Sequence, residues 1–300
     1  MSASRWEELR ERGNLFWLLL LLLVSRLLGR AVARLVLVFV VGYFLIGARQ
    51  AYRASQKFLA RALGRAPTMG DSYRHFYAFA ATALDRFFVM GGKGKKLQIE
   101  VDRPPEVHRA AAKSGCLVMV SHLGSFEVMR VPGITARERP LKILLDRAHG
   151  PTFTKVLERI NPQLAQSVID ASERGPTLAL KLREALESQA LVCLMADRVR
   201  EGERAIPVQF FGKTAMLPAG PWLLAAALKA PVILAFGVYR GGARYELHFE
   251  LFAEHLDVPR QDRDAAIAAL AQRYAERLEH YARSAPYNWF NFYDFWNDAS

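Results

Sequence analysis

Residues 116–127 read Cys-Leu-Val-Met-Val-Ser-His-Leu-Gly-Ser-Phe-Glu, an apolar run that ends on a histidine, with a glutamate five residues further on. A histidine just past the carboxyl end of a strand stands where open α/β sheets carry their active sites. Its imidazole can take a proton from a hydroxyl. A carboxylate accepting the second ring N–H fixes the tautomer and stabilises the imidazolium that forms. His122 and Glu127 are therefore a candidate base and its orienting acid. On one regular helix the two would lie ~140° apart, on different faces. They meet only if His122 sits in a turn and Glu127 in the first turn of the next helix, for which Gly124 and Ser125 supply the turn and an N-cap.

A second cluster follows the apolar run 190–196: Asp197-Arg198, then Arg200, Glu201, Gly202, Glu203 and Arg204. By the same sheet geometry this turn reaches the site beside His122. A guanidinium there can hold a phosphate bidentately or face a developing oxyanion. Arg198 is preferred over Arg200 and Arg204 because it lies nearest the strand end, although a solvated charged loop accounts for any single residue of the run as well. Asp146-Arg147 ends another apolar run, 141–145.

Other chemistries are excluded by their missing residues. Gly212-Lys213-Thr214 would need glycine at position 207 to be a phosphate-binding P-loop, and Pro207 stands there. Gly-Gly-Lys-Gly-Lys-Lys near 91–96 lacks the following Ser or Thr and reads as a basic turn. No Gly-x-Ser-x-Gly elbow is present for a serine hydrolase. The two cysteines, Cys116 and Cys193, lie in apolar strand-like runs, which argues against a disulfide framework or a zinc site and for small core residues in a reducing compartment. His75, His108, His149, His248, His255 and His280 show no catalytic or metal-ligand pairing.

The elements that must position these groups alternate. Apolar, β-rich runs fall at 97–101, 116–121, 141–145, 166–169, 190–196, 206–211, 231–239 and 244–252. Helical patterns lie at 49–66, 72–90, 124–131, 151–159, 175–188, 217–229 and 262–283. Such alternation predicts an α/β layered fold with a largely parallel sheet flanked by helices, and Gly241-Gly242 joins the last two strands as an antiparallel hairpin. Pro218 and Gly220 mark a turn opening the helix at 217–229, whose amide groups can face an anion. The segment 286–296 carries seven aromatics and reads first as core, then as an interfacial belt.

Ahead of this domain the chain is apolar from Leu15 to Ala48, interrupted chiefly by Arg26, Arg30 and Arg34. As one helix it would reach ~51 Å, beyond the ~30 Å hydrocarbon core of a bilayer. The expectation is one retained membrane-embedded helix plus an amphipathic piece near the interface, with the arginines toward lipid phosphates. The net charge is +12, and residues 1–65 hold eleven Lys/Arg against three Glu. With no finger, RNP or helix-turn-helix signature, that charge points to an anionic membrane surface and not to nucleic acid. The division expected is a membrane-anchoring region over 1–66 and a catalytic domain over 67–300.

His-x-x-x-x-Glu behind an apolar strand resembles block I of the lysophospholipid acyltransferase superfamily. The glutamate variant and the rest of the chain, from about Trp6 to the C-terminus, look most like the bacterial lipid A late acyltransferases and their relatives. Glu201-Gly202-Glu203-Arg204 loosely resembles the family's Glu-Gly-x-Arg block, with Asp197 the better match to the acidic residue of the lipid A branch. Phe210-Phe211-Gly212 with Pro218-Ala-Gly220 resembles another block, and Arg147 lies where these relatives place an arginine assisting the site. The resemblance implies a membrane-bound O-acyltransferase at the cytoplasmic face of the inner membrane. An acyl group would pass from a thioester of acyl carrier protein or CoA to a hydroxyl of a lipid or saccharolipid. His122 would be the base, Glu127 its orienting acid, and Arg147, Asp197 and Arg198 substrate- or oxyanion-binding residues. A thioester is already activated, so no metal or other cofactor is expected. The alternatives are a non-catalytic membrane-anchored lipid-binding protein and a lipid hydrolase using the same dyad on water.

Overall fold

The computed structural model describes residues 29–92, 94–131, 139–145, 167–173, 175–200 and 202–296. Seven strands form one sheet: β1 (Gln98–Asp102), β2 (Cys116–Val120), β3 (Leu141–Leu145), β4 (Val168–Asp170), β5 (Leu191–Met195), β8 (Val232–Tyr239) and β9 (Arg244–Ala253). Their order across the sheet is β1-β9-β8-β2-β5-β3-β4. Every neighbouring pair is parallel except β8 with β9, which form the hairpin expected at Gly241-Gly242. The central strands β2 and β8 are buried along their whole length, as continuous apolar runs in a parallel sheet must be.

Alternation across the pleat divides the core in two. Leu117 and Met119 of β2 join Val192 and Leu194 of β5 and Leu234 and Phe236 of β8 on one face. There they meet α2 (Arg49–Leu63), α5 (Pro176–Glu187), α6 (Gly220–Leu228) and α7 (Arg263–Ser284) through Phe58, Leu182, Trp222 and Tyr274. Cys116, Val118, Cys193 and Ala235 face the other side, against α3 (Met69–Met90) and α4 (Pro105–Lys113). Both cysteines are free, buried thiols.

Several elements differ from expectation. Residues 213–218 form β7 (Lys213–Pro218), pairing back on β6 (Ala205–Phe210), where a turn was expected. The cause is local: Phe211 and Gly212 both take positive φ, 51° and 70°, as a two-residue hairpin turn requires. The short helix α4 was not anticipated; Pro105 at its first turn starts it. The helix expected at 124–131 is a 3₁₀ segment, Phe126–Arg130. α3 starts three residues earlier than expected because Thr68 and Asp71 form a capping box.

Among the described residues one helix, α1 (Gly29–Gly47), is long and apolar enough to cross a membrane. Its arginines do not point outward to lipid phosphates. Arg30 and Arg34 both reach the buried carboxylate of Asp85 in α3 at 2.7 Å, and Arg34 also donates to the Tyr239 hydroxyl. Two guanidiniums on one turn-spaced face find a single buried acid, which also accepts from Tyr245. Arg26 and the rest of the N-terminal apolar run, like the helix expected at 151–159, lie outside the described residues.

Candidate active site

The parallel register places the site. Val120 of β2 lies opposite Met195 of β5, so the residues leaving both strands emerge at the same carboxyl edge. The ladder continues one step further, with the Ala196 amide donating to Val120 O at 3.0 Å. His122 and Asp197 are thereby brought together although 75 positions apart. The Asp197 carboxylate accepts twice from His122: the backbone N–H at 2.9 Å and ring Nδ1 at 2.9 Å, one on each oxygen. A carboxylate only accepts, so Nδ1 carries the proton and Nε2 presents its lone pair. No described group hydrogen-bonds Nε2, and the His122 side chain is 34% exposed whereas Asp197 is fully buried.

The electrostatics suit a base. Burial lowers the His122 pKa below the usual imidazole value, and the Arg198 and Arg86 charges add to that against the pull of Asp197. His122 is therefore neutral at pH 7. Burial by itself would raise Asp197, but the His122 and Arg198 charges and the two His122 hydrogen bonds overcome it and hold the acid at about 2. The pair is a neutral imidazole on a permanent carboxylate.

The loop carrying His122 is pinned on both sides. Gly124 has φ +61°, and a Cβ there would sit 1.8 Å from Gly237 O of β8. The Ser125 amide donates to Gly237 O and the Gly124 amide to Asn288 O. The Gly124 and Ser125 amides are thus satisfied within the fold and are not open to a developing oxyanion. On the far side the Phe290 amide donates to His122 O at 2.9 Å, and Trp289 Nε1–H donates to Asp197 at 3.2 Å.

Glu127 does not orient His122; Asp197 does. Ser125 is extended, and the 3₁₀ turn that follows directs Glu127 inward, where it accepts from the Ser125 hydroxyl at 3.0 Å and pairs with Arg86 of α3 at 2.7 Å. Arg198 lies beside the pair, donating to Phe290 O at 2.5 Å with its guanidinium over the Tyr293 ring. Arg204 is turned to the surface, on Asp264. Arg147 lies outside the described residues, as do His149 and Glu201. The opening of α6 is not free for an external anion: Glu203 lies so close that a Cβ on Gly220 would be 2.5 Å from its Oε1. Arg86, Trp289 and Phe290 were not anticipated at the site; the one sequence signal for the last two was the run of aromatics interleaved with Asn and Asp. Of the other histidines, His75 is buried and bonded to Ser55, while His248 and His255 meet carboxylates away from the site.

Comparison with known proteins identifies the family. The profile of the bacterial lipid A biosynthesis acyltransferases matches residues 8–297. The chain belongs to this family. Among curated proteins, it is similar to the phosphatidylinositol mannoside acyltransferase of Mycobacterium tuberculosis, 29% identical over 184 residues. That alignment covers 56% of this chain and 51% of the relative, so the chain spans about half the length of the tuberculosis proteins it matches. The protein of the same name from Mycolicibacterium smegmatis is 28% identical over 272 residues, 80% of this chain and 81% of the relative. The His122–Asp197 pair and the loop that holds it lie inside the span matched by the lipid A biosynthesis acyltransferase family.

Proposed function

We propose that this protein is a membrane-bound O-acyltransferase moving a fatty acyl group from an acyl thioester, of acyl carrier protein or CoA, to a hydroxyl of a lipid or saccharolipid. The observation carrying this reading is the free Nε2 of His122, backed by a buried carboxylate at the carboxyl edge of the sheet. Nε2 takes the acceptor's hydroxyl proton as that oxygen attacks the thioester carbonyl. The C–O bond forms, the tetrahedral oxyanion collapses, the C–S bond breaks, and the imidazolium returns its proton to the departing thiolate. Arg198, with Arg147 as a second candidate, supplies positive charge to the oxyanion or to a substrate phosphate. Glu127 is assigned to the site through Arg86: it holds that guanidinium and the Ser125 turn.

The membrane part of the proposal rests on α1. Leu35, Phe39, Tyr43 and Ile46 are exposed along it, while Ala33, Leu37, Val40 and Val41 are buried against the protein. A helix with its charges folded inward and its apolar residues outward suits burial in lipid. Residues 1–66 then anchor the catalytic region 67–300 at the cytoplasmic face of the inner membrane, with exposed Arg49 and Arg53 toward anionic headgroups.

Mass spectrometry of membrane lipids from cells expressing the wild type or His122→Ala tests the proposal. A lipid heavier by one acyl unit in the wild type alone supports acyl transfer and identifies the acceptor. Extra free fatty acid without an acylated lipid would instead establish hydrolysis. Identical profiles with both proteins folded and membrane-bound would favour a lipid-binding role.

A further inference from the structure

The C-terminal aromatic segment threads past the site and touches both members of the pair. Trp289 bridges to Leu123 as an isolated antiparallel contact, and the Phe290 amide holds the His122 carbonyl. The indole is fully buried among Phe58, Phe210 and Phe295, and its Nε1–H meets the same Asp197 oxygen that accepts from the His122 backbone. The Trp289 carbonyl is itself fixed, accepting from Nε2–H of buried His75 at 2.9 Å, whose Nδ1 accepts from the Ser55 hydroxyl. The preceding residue, Asn288, is clamped to β8, its side chain accepting from the Tyr239 amide and donating to the Tyr239 carbonyl.

We infer that Trp289 is a positioning residue: its indole N–H, fixed in place through His75, orients the Asp197 carboxylate and sets how strongly that carboxylate holds a proton on His122. The inference deepens the acyl-transfer reading and rests on it for its catalytic meaning. The physical basis is general. Each donor to a carboxylate spreads its charge and weakens it as a base. With three donors on Asp197 the imidazolium is held only as firmly as proton return to a leaving thiolate tolerates. The charged and titratable groups facing the pair are Arg198 beyond β5, Arg86 from α3 and Tyr274 of α7; none of them contacts the indole N–H.

The test replaces the N–H and keeps the ring. In Trp289→Phe, protein labelled with 15N-histidine is titrated by NMR, the His122 signal being identified by its absence in His122→Ala. The expected result is a rise of about half to one pH unit in the His122 midpoint. No such rise should follow when the same change is made on an Asp197→Asn background. If Trp289→Phe fails to give a folded protein, 3-benzothienylalanine at position 289 preserves the bicyclic shape without the donor. An unmoved midpoint in a folded variant would overturn the inference, as would an equal rise on the Asp197→Asn background. The titration needs no turnover, so its failure is separate from failure of the acyl-transfer reading. Where turnover is measured, the acidic limb of kcat/KM moves upward with the midpoint.

Discussion

Asp197→Asn tests the core of the mechanism, and the hydrogen bonds around it fix what the change does. The carboxylate receives one donor on Oδ1, from His122 Nδ1, and two on Oδ2, from the His122 amide and the Trp289 indole. An amide must place its NH2 at one of these oxygens. At Oδ2 it would confront two immovable donors; at Oδ1 it faces one ring nitrogen that can surrender its proton. The second arrangement wins, since each buried donor left unpaired costs about 1–3 kcal/mol. The asparagine then donates to Nδ1 and drives the imidazole proton onto Nε2, the atom that must act as base. In serine proteases the same exchange of aspartate for asparagine traps the wrong histidine tautomer and lowers kcat by about 10⁴. A loss of about 10³–10⁴ is expected here on the same grounds. Packing is unchanged, so thermal stability should fall little. The assay is formation of the acylated lipid by mass spectrometry, with 15N-histidine NMR reporting the tautomer directly. Activity within tenfold of wild type, alongside an inactive His122→Ala, would refute the reasoning and mean that another group orients His122.

Glu127→Gln should cost far less than Asp197→Asn, about tenfold in the same assay, because its carboxylate acts on Arg86 and Ser125 and not on the base. Asp85→Leu strands Arg30 and Arg34 of α1 and removes the partner of the Tyr245 hydroxyl. Leaving buried partners uncompensated should lower unfolding free energy by about 3–5 kcal/mol, read by urea denaturation in detergent. Burial lowers His75 to about 4, only partly opposed by its bond to Trp289 O. The unfolded chain therefore takes up this proton near pH 6.5 and the folded one not until near 4. The contribution is full above about 6.5 and is lost as pH falls through that window, about 3 kcal/mol in all. Urea midpoints against pH should show the loss in the wild type and a flatter curve in His75→Gln.

How far the sequence reached depended on the range of the interaction. Periodicity is local, and the apolar runs at 116–121, 190–196 and 231–239 become adjacent buried strands whose order no local pattern encodes. The turn 211–212 shows the limit at short range: a phenylalanine at positive φ breaks the usual propensity, so β7 was read as a turn. The site shows the limit at long range. Glu127 lies five residues from His122 and was therefore visible as a partner, yet an extended Ser125 and a single 3₁₀ turn carry it to Arg86 instead. Asp197 was placed correctly at the strand end, since β2 and β5 share a carboxyl edge. Its role as the acceptor of Nδ1–H follows only from their being paired neighbours with Val120 opposite Met195.

The arginines of α1 show the same limit of range. Their four-residue spacing correctly put them on one face, but spacing alone does not say what that face meets. A bilayer phosphate and a buried Asp85 satisfy a guanidinium equally well, and the second is supplied by α3 about fifty residues away. With both guanidiniums paired to that acid, the opposite face, with Leu35, Phe39 and Ile46, is left as the apolar surface of the helix. The charges of Arg30 and Arg34 thus serve to dock α1 on the rest of the chain, and the contact proposed between this helix and lipid rests on its apolar side chains.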